Sequence, residues 1–172
     1  DGETITEYNG LAIDSANHKI TGTPTAARTY VFTVQAADDI SDKTKTANMT
    51  IVIDCMNITG TATISGTMKY GETLTASVEN GIANATYSYK WQFKASGASE
   101  FADLAITTQT LEITSANLNA DAEVGGAIRV VVLGTGNFAD DLTSAETASI
   151  TAKEVSWQTN PTVNNKPYDG NT

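Results

Sequence analysis

Asp38, Asp39, Asp42 and Asp54 are the residues whose type and spacing come closest to a chemical site in this chain. Calcium binds through about six to eight hard oxygen ligands, and a cluster of aspartates followed by a linker aspartate can supply several of them. The ordered carboxylate spacing of an EF-hand loop is missing, so the same residues also read as a solvated acidic turn and an ordinary linker. Both readings stand at this level, and calcium is the one cofactor to consider.

Other chemistry is thinner. The chain has one histidine, His18, and one cysteine, Cys55. A nucleophile–base pair built on them would have to join a short turn to a different repeat of the chain. Acid–base work by two carboxylates needs a buried pair roughly 5–10 Å apart in a cleft, whereas the acidic residues here fall in turns and linkers. No phosphate loop, dinucleotide fingerprint, zinc spacing or HExxH motif occurs. No enzyme is expected. Tyr87, Tyr89 and Trp91 share one face of a strand and could stack on a sugar. The same spacing fits a core strand of a β-sandwich, where a Trp fills the space between sheets, and that reading is preferred. Asn48, Asn57 and Asn84 begin glycosylation sequons, matches that chance supplies in a chain rich in Thr and Asn.

Composition says which elements must hold these residues. A hydrophobic share of 40% over 172 residues is enough for packed cores, which argues against wholesale disorder. Thr, Ala, Ser, Asn and Gly dominate the rest, a bias suited to short strands and tight turns. The net charge of −10 opposes nucleic acid and anionic membranes, and no Lys/Arg cluster offsets it. A lone cysteine excludes an internal disulfide, which favours a bacterial over a eukaryotic secreted sandwich. No apolar run is long enough for a membrane span and no signal peptide is visible. The chain is therefore expected to be an excised piece whose export signal lies upstream.

Period-two alternation recurs, and helical periodicity does not. Leu11 and Ile13, then Ile20, then Tyr30, Phe32 and Val34 alternate with polar neighbours, and Met49 to Ile53 closes the set. Turn signals fall at Asn17-His18, at Gly22-Thr23-Pro24 and from Asp38 to Asp42. Further on, strands are expected in ITGTATISGTMKYGETLTASV, in TYSYKWQF, from Ala105 to Ile113, in AIRVVVLGTGNF and in SAETASITA. The long turn ANLNADAEVGG has room for one helical turn. On TYSYKWQF the aromatic face should look inward. Ile128, Val130 and Val132 are its expected partners from the opposite sheet, with Leu111 and Ile113.

Three stretches resemble known repeats. GLAIDSANHKITGTPTAARTYVFTVQAADD, ending in ANMTIVID, resembles the immunoglobulin/cadherin-like repeat of bacterial surface proteins, over about Gly10 to Asp54. Its GTPT and TYVFTV elements match well, while Arg28 stands where a Gly is usual. The resemblance implies that the leading strands of this module are missing. Residues from about Ile58 to Lys153 resemble bacterial immunoglobulin-like repeats with a GETLTA element, a Y-x-W strand and an IRVVV strand, in that order. KPYDGNT in the tail resembles the opening of YDG-type repeats of large bacterial adhesins.

Together these readings predict an all-β chain of tandem immunoglobulin-like β-sandwich modules, the first one truncated. Residues 1–54 would be the C-terminal part of the first module, 55–153 a second sandwich, and 154–172 a linker with the start of a third repeat. The expected role is a non-catalytic spacer in a secreted or cell-surface bacterial protein, with neighbouring modules as its partners and a monomeric state. Adhesion to a host glycan or protein, or service as a carbohydrate-binding accessory module of a secreted polysaccharide-degrading enzyme, is the alternative. Nucleic acid binding and membrane insertion are not expected.

Overall fold

The computed structural model of the chain describes residues 7–14, 16–37, 43–118, 124–154 and 156. Strands account for nearly all of its regular structure, and the sheets are antiparallel apart from one short parallel pair and one isolated bridge. The expected Asp38–Asp42 turn and the KPYDGNT tail lie outside the described residues.

The N-terminal region opens with a three-stranded meander of β1 (Glu7–Tyr8), β2 (Leu11–Asp14) and β3 (Lys19–Gly22). Asn9 and Gly10 alone join β1 to β2, both at positive φ. Asn-Gly is the pair that such a two-residue turn favours, because its twist matches the flanking strands. A side chain at Gly10 would run into the Thr23 carbonyl, and one at Gly22 into the Gly10 carbonyl. The two glycines therefore let the ends of the meander meet. β4 (Arg28–Ala37) and β5 (Thr44–Ile53) form a long hairpin in register from Arg28–Ile53 to Ala37–Thr44. β-branched and aromatic residues suit these strands. The register puts Tyr30, Phe32, Ile51 and Met49 on one face.

The C-terminal region is a filled sandwich. After β6 (Met56–Asn57), one sheet is built from β7 (Thr61–Ser65), β8 (Thr73–Glu79) and β11 (Thr110–Glu112), in the order β11-β8-β7. The other is built from β9 (Thr86–Lys94), β10 (Ala102–Asp103), β12 (Ala127–Thr135) and β14 (Asp141–Thr143), in the order β10-β9-β12-β14. The short β13 (Phe138–Ala139) pairs in parallel with β6. A single helical turn, α1 (Ser115–Leu118), occupies the start of the long turn ahead of β12 and buries Leu118. One apolar cluster joins Ala62, Leu74, Ala76 and Leu111 of the first sheet to Trp91, Phe93, Ile128, Val130 and Val132 of the second.

Three strand expectations change. Ile128, Val130 and Val132 do not face Trp91 from across the sandwich. They lie beside it in the same sheet, with Phe93 opposite Ile128, Trp91 opposite Val130 and Tyr89 opposite Val132. β12 is the immediate neighbour of β9, so two apolar alternations in register line one face together. Leu111 and Ile113 are buried in the same cluster, as expected. Residues 105–109 do not continue as a strand but cross the indole, with the Thr108 carbonyl accepting from Trp91 Nε1 at 2.8 Å. SAETASITA is no regular strand either. Ser144, Thr147 and Ile150 donate their amides to Val130, Ile128 and Gly126, so three residues run against every two of β12. That repeated excess bulges the edge and breaks the ladder.

Candidate functional site

Among the described residues the acidic side chains are not gathered into a metal-binding group. Asp54 is exposed in the two-residue connection, Asp54-Cys55, that leads from β5 into β6. Asp38, Asp39 and Asp42 lie outside the described residues. Among the described residues no group of three or more His, Cys, Asp or Glu side chains is placed to hold a metal ion. His18 is exposed on the β2–β3 turn at φ 52°, and Cys55 is exposed at the connection. On the β2–β3 turn, Asn17 donates its backbone and side-chain N–H groups to the Asp14 carboxylate at 3.1 and 2.7 Å. These bonds favour the ionised form and hold the Asp14 carboxyl below its ordinary range.

Trp91 is not a platform. It is fully buried, and its one polar atom is satisfied by Thr108. Tyr87 and Tyr89 are half-buried beyond it, and burial pushes the Tyr89 phenol up. The polar side of β9 carries a ladder of paired groups instead. Lys90 pairs with Asp103 at 2.8 Å, and Gln92 links Asp103 to Arg129. Arg129 and Lys94 both lie over the Phe101 ring, and Lys94 pairs with Glu146 at 2.6 Å. Hydrogen bonds from Gln92, then Lys90, hold the Asp103 carboxyl low. Every charge of this ladder already has a partner within it, which leaves little to recognise a ligand.

The N-terminal region holds a cleft of about 450 Å³ between its two sheets, lined by Tyr8, Leu11, Ile13 and the Arg28–Phe32 stretch of β4. At its closed end Tyr30 is buried and meets Tyr8 edge to face at 5.7 Å. The Arg28 guanidinium lies over both rings, at 5.5 and 5.7 Å from their centroids. This gives a use to the residue that departs from the expected Gly. Of its lining residues Ile13 stays 45% exposed, and Val34 and Met49, further along the β4–β5 hairpin, are 45% and 47% exposed.

The junction between the regions is held by several directional bonds. The loop from Gly134 to Asp140 folds back on itself, with the Gly134 amide donating to the Asp140 carbonyl at 3.0 Å. Gly134 permits this, because any side chain there would press on the Ala139 backbone and on Ile58. The backbone carbonyls of Asn137 and Ala139 accept from the amides of Met56 and Ile58, both at 2.9 Å. The Asn137 side chain reaches the other way. Its Oδ1 accepts from the Ala27 amide and its Nδ2 donates to the Thr25 carbonyl, each at 2.9 Å. The sequence pattern makes GTGNF the end of a strand and gives Asn137 no role. Its only signal was the Gly-Asn pair, which marks a turn but not what the turn touches.

No curated protein matches the chain. Residues 9–54, from the Asn9-Gly10 turn through β5 to Asp54 at the connection, match the family model described as "Putative Ig domain", which makes this stretch similar to an immunoglobulin-like repeat.

Proposed function

We propose that the chain is a non-catalytic spacer region of a secreted or surface-displayed bacterial protein, in which successive immunoglobulin-like modules are held end to end. The observation that carries this is the connection. Only Asp54 and Cys55 separate the last strand of the N-terminal region from β6, and β6 is already paired with the C-terminal region through β13. A two-residue joint with hydrogen-bonded structure on both sides limits hinge motion far more than a flexible linker does. The module boundary at 54–55 is part of the proposal, as is the reading of 154–172 as a linker to a further repeat. The immunoglobulin-like character of residues 9–54 agrees with a structural or binding module. No helix among the described residues is long and apolar enough to cross a membrane. The burial of Trp91 supports the spacer over a sugar-binding alternative.

The test is a graft. Placed between a cell-wall anchor and a fluorescent reporter, the chain should raise the reporter above the surface, read as a height difference against the anchor fused directly. On arrays of glycans and matrix proteins it should show no saturable binding. Saturable binding abolished by one surface substitution would replace the spacer with a recognition module.

A further inference from the structure

We propose that Asn137 is an orientation latch, whose side-chain amide docks the Thr25–Ala27 segment onto the hairpin tip of the C-terminal sandwich and sets the angle between the two regions. The inference deepens the spacer reading and rests on it for its use, though not for its geometry. A side-chain amide has one acceptor and one donor side, like a peptide unit. Here the acceptor takes the Ala27 N–H and the donor meets the Thr25 carbonyl, the two groups that flank Ala26. A strand residue in a parallel ladder bonds its neighbour in the same pattern, so Asn137 adds one rung of sheet across the junction. The parallel pairing of β13 with β6 lies immediately beside it.

The docked segment is rigid before it is read. The Thr25 amide donates to the Asn9 carbonyl at 2.9 Å, and the Ala26 carbonyl accepts from Tyr30 Oη at 2.8 Å. Asn9 and Tyr30 thus tie the segment to the meander and to the hairpin, and Asn137 holds the Thr25 carbonyl and the Ala27 amide. The backbone of Asn137 is meanwhile fixed to Met56. One residue therefore binds the N-terminal region at Thr25–Ala27 and the chain just past the connection. A covalent connection restrains separation but leaves rotation about Asp54-Cys55 open; a second attachment off that axis stops rotation. The residues around it, Pro24, Ile53, Met56 and Phe138, line a shallow hollow of about 190 Å³. Shape alone does not lock the angle there, so directional bonds must.

The experiment uses the whole chain and nitrogen-15 relaxation with amide hydrogen exchange. In the wild type, amides of both regions should report one common tumbling time, and the Ala27 amide should be protected. In Asn137→Ala, Ala27 should exchange about tenfold faster or more, the scale of one lost hydrogen bond. The two regions should then report separate, shorter tumbling times. Protection of the Val130 and Trp91 amides should not change, since Asn137 is exposed and outside the core. Asn137→Asp keeps an acceptor for Ala27 but turns a carboxylate toward the Thr25 carbonyl, and should loosen the joint while retaining part of the Ala27 protection. Unchanged Ala27 exchange in Asn137→Ala, or independent tumbling already in the wild type, would overturn the latch. Either result leaves a flexible spacer possible, whereas saturable ligand binding would end the spacer reading and leave the latch intact.

Discussion

The two regions are built from the same alternation of apolar and polar residues and finish in different states. The C-terminal sandwich closes on a cluster that includes Leu74, Trp91, Leu111, Ile113, Ile128, Val130 and Val132, each at most 1% exposed. In the N-terminal region only Leu11 and Tyr30 fall below a tenth exposed among the described residues, and the space between its sheets remains a cleft. The cause is the count of strands on each side. Among the described residues, seven strands in two sheets cover both faces of the C-terminal core, whereas a hairpin of two strands faces a short meander in the N-terminal one. Alternation makes a face apolar; how dry that face becomes depends on how much backbone is laid against it.

The widest gap between the regions should appear at Trp91. Its indole is fully enclosed and its N–H is bonded, so Trp91→Ala leaves both a cavity and an orphaned Thr108 carbonyl. A loss of ~3–5 kcal/mol is expected from the cavity alone. A small domain is stable by only ~5–15 kcal/mol, so the sandwich should be close to unfolded at moderate denaturant. None of the described residues of the N-terminal region belongs to that cluster, and the region should keep its own transition. Denaturant melts followed by amide signals from each region check both halves. A loss shared equally by the two regions would show that they fold as one unit.

A matched pair sharpens the comparison at smaller scale. Leu74→Ala, in the filled core, should cost ~2–5 kcal/mol. Ile13→Ala, at the mouth of the cleft with Ile13 45% exposed, should cost about 1 kcal/mol or less, because little apolar area returns to water. Equal costs would mean that the cleft closes in solution.

Much of this contrast was legible in the residues. Tyr87 to Phe93, Ile128 to Val132 and Tyr30 to Val34 announce strands, and GETLTA marks the start of β8. Which strand lies beside which was not legible, because period two fixes a face and not a neighbour. That is why Val130 is expected across the sandwich from Trp91 and is found beside it in the same sheet. SAETASITA alternates well enough for a strand, yet its bulged pairing depends on where Gly125 and Gly126 bring the chain back to Ile150. At the junction the failure was of another kind. Asn137 has a side chain that bonds anywhere, and only the fold shows that Thr25 and Ala27 are within its reach.

Two carboxylates, one in each region, extend the comparison to pH. Asp14 is held low chiefly by Asn17, and Asp103 by Gln92 with help from Lys90. A depressed folded value contributes stability above the unfolded value, near 3.8, which is lost as pH falls through the folded one. Neither carboxyl is buried, so the effect on melting should be small and confined to acid conditions. Carboxyl carbon-13 titration gives the sharper readout. Asn17→Ala should raise Asp14 only part of the way, because the side-chain bond is lost while the backbone N–H at position 17 still donates. Gln92→Ala should release Asp103 only in part, because Lys90 remains at 2.8 Å. Full release of Asp103 would mean that the Lys90 pair contributes nothing in solution.

The smallest effect is expected from calcium, and it concerns the joint between the regions. Asp54 stands in that joint, exposed, and offers one carboxylate where the ion takes about six to eight oxygens. A calcium bridge would make the connection stiff by coordination; the bonds of Asn137, Met56 and Ile58 make it stiff without an ion. Melts in millimolar calcium and in chelator should therefore nearly coincide, and the common tumbling time should persist in chelator. An ion bound only to the folded chain and present at 100 times its dissociation constant would add ~2.7 kcal/mol, which a melt cannot miss. If such a shift appears and is lost on Asp54→Ala or Asp39→Ala, the junction is a metal-gated joint. The hydrogen bonds of Asn137 would then be its consequence and not its cause.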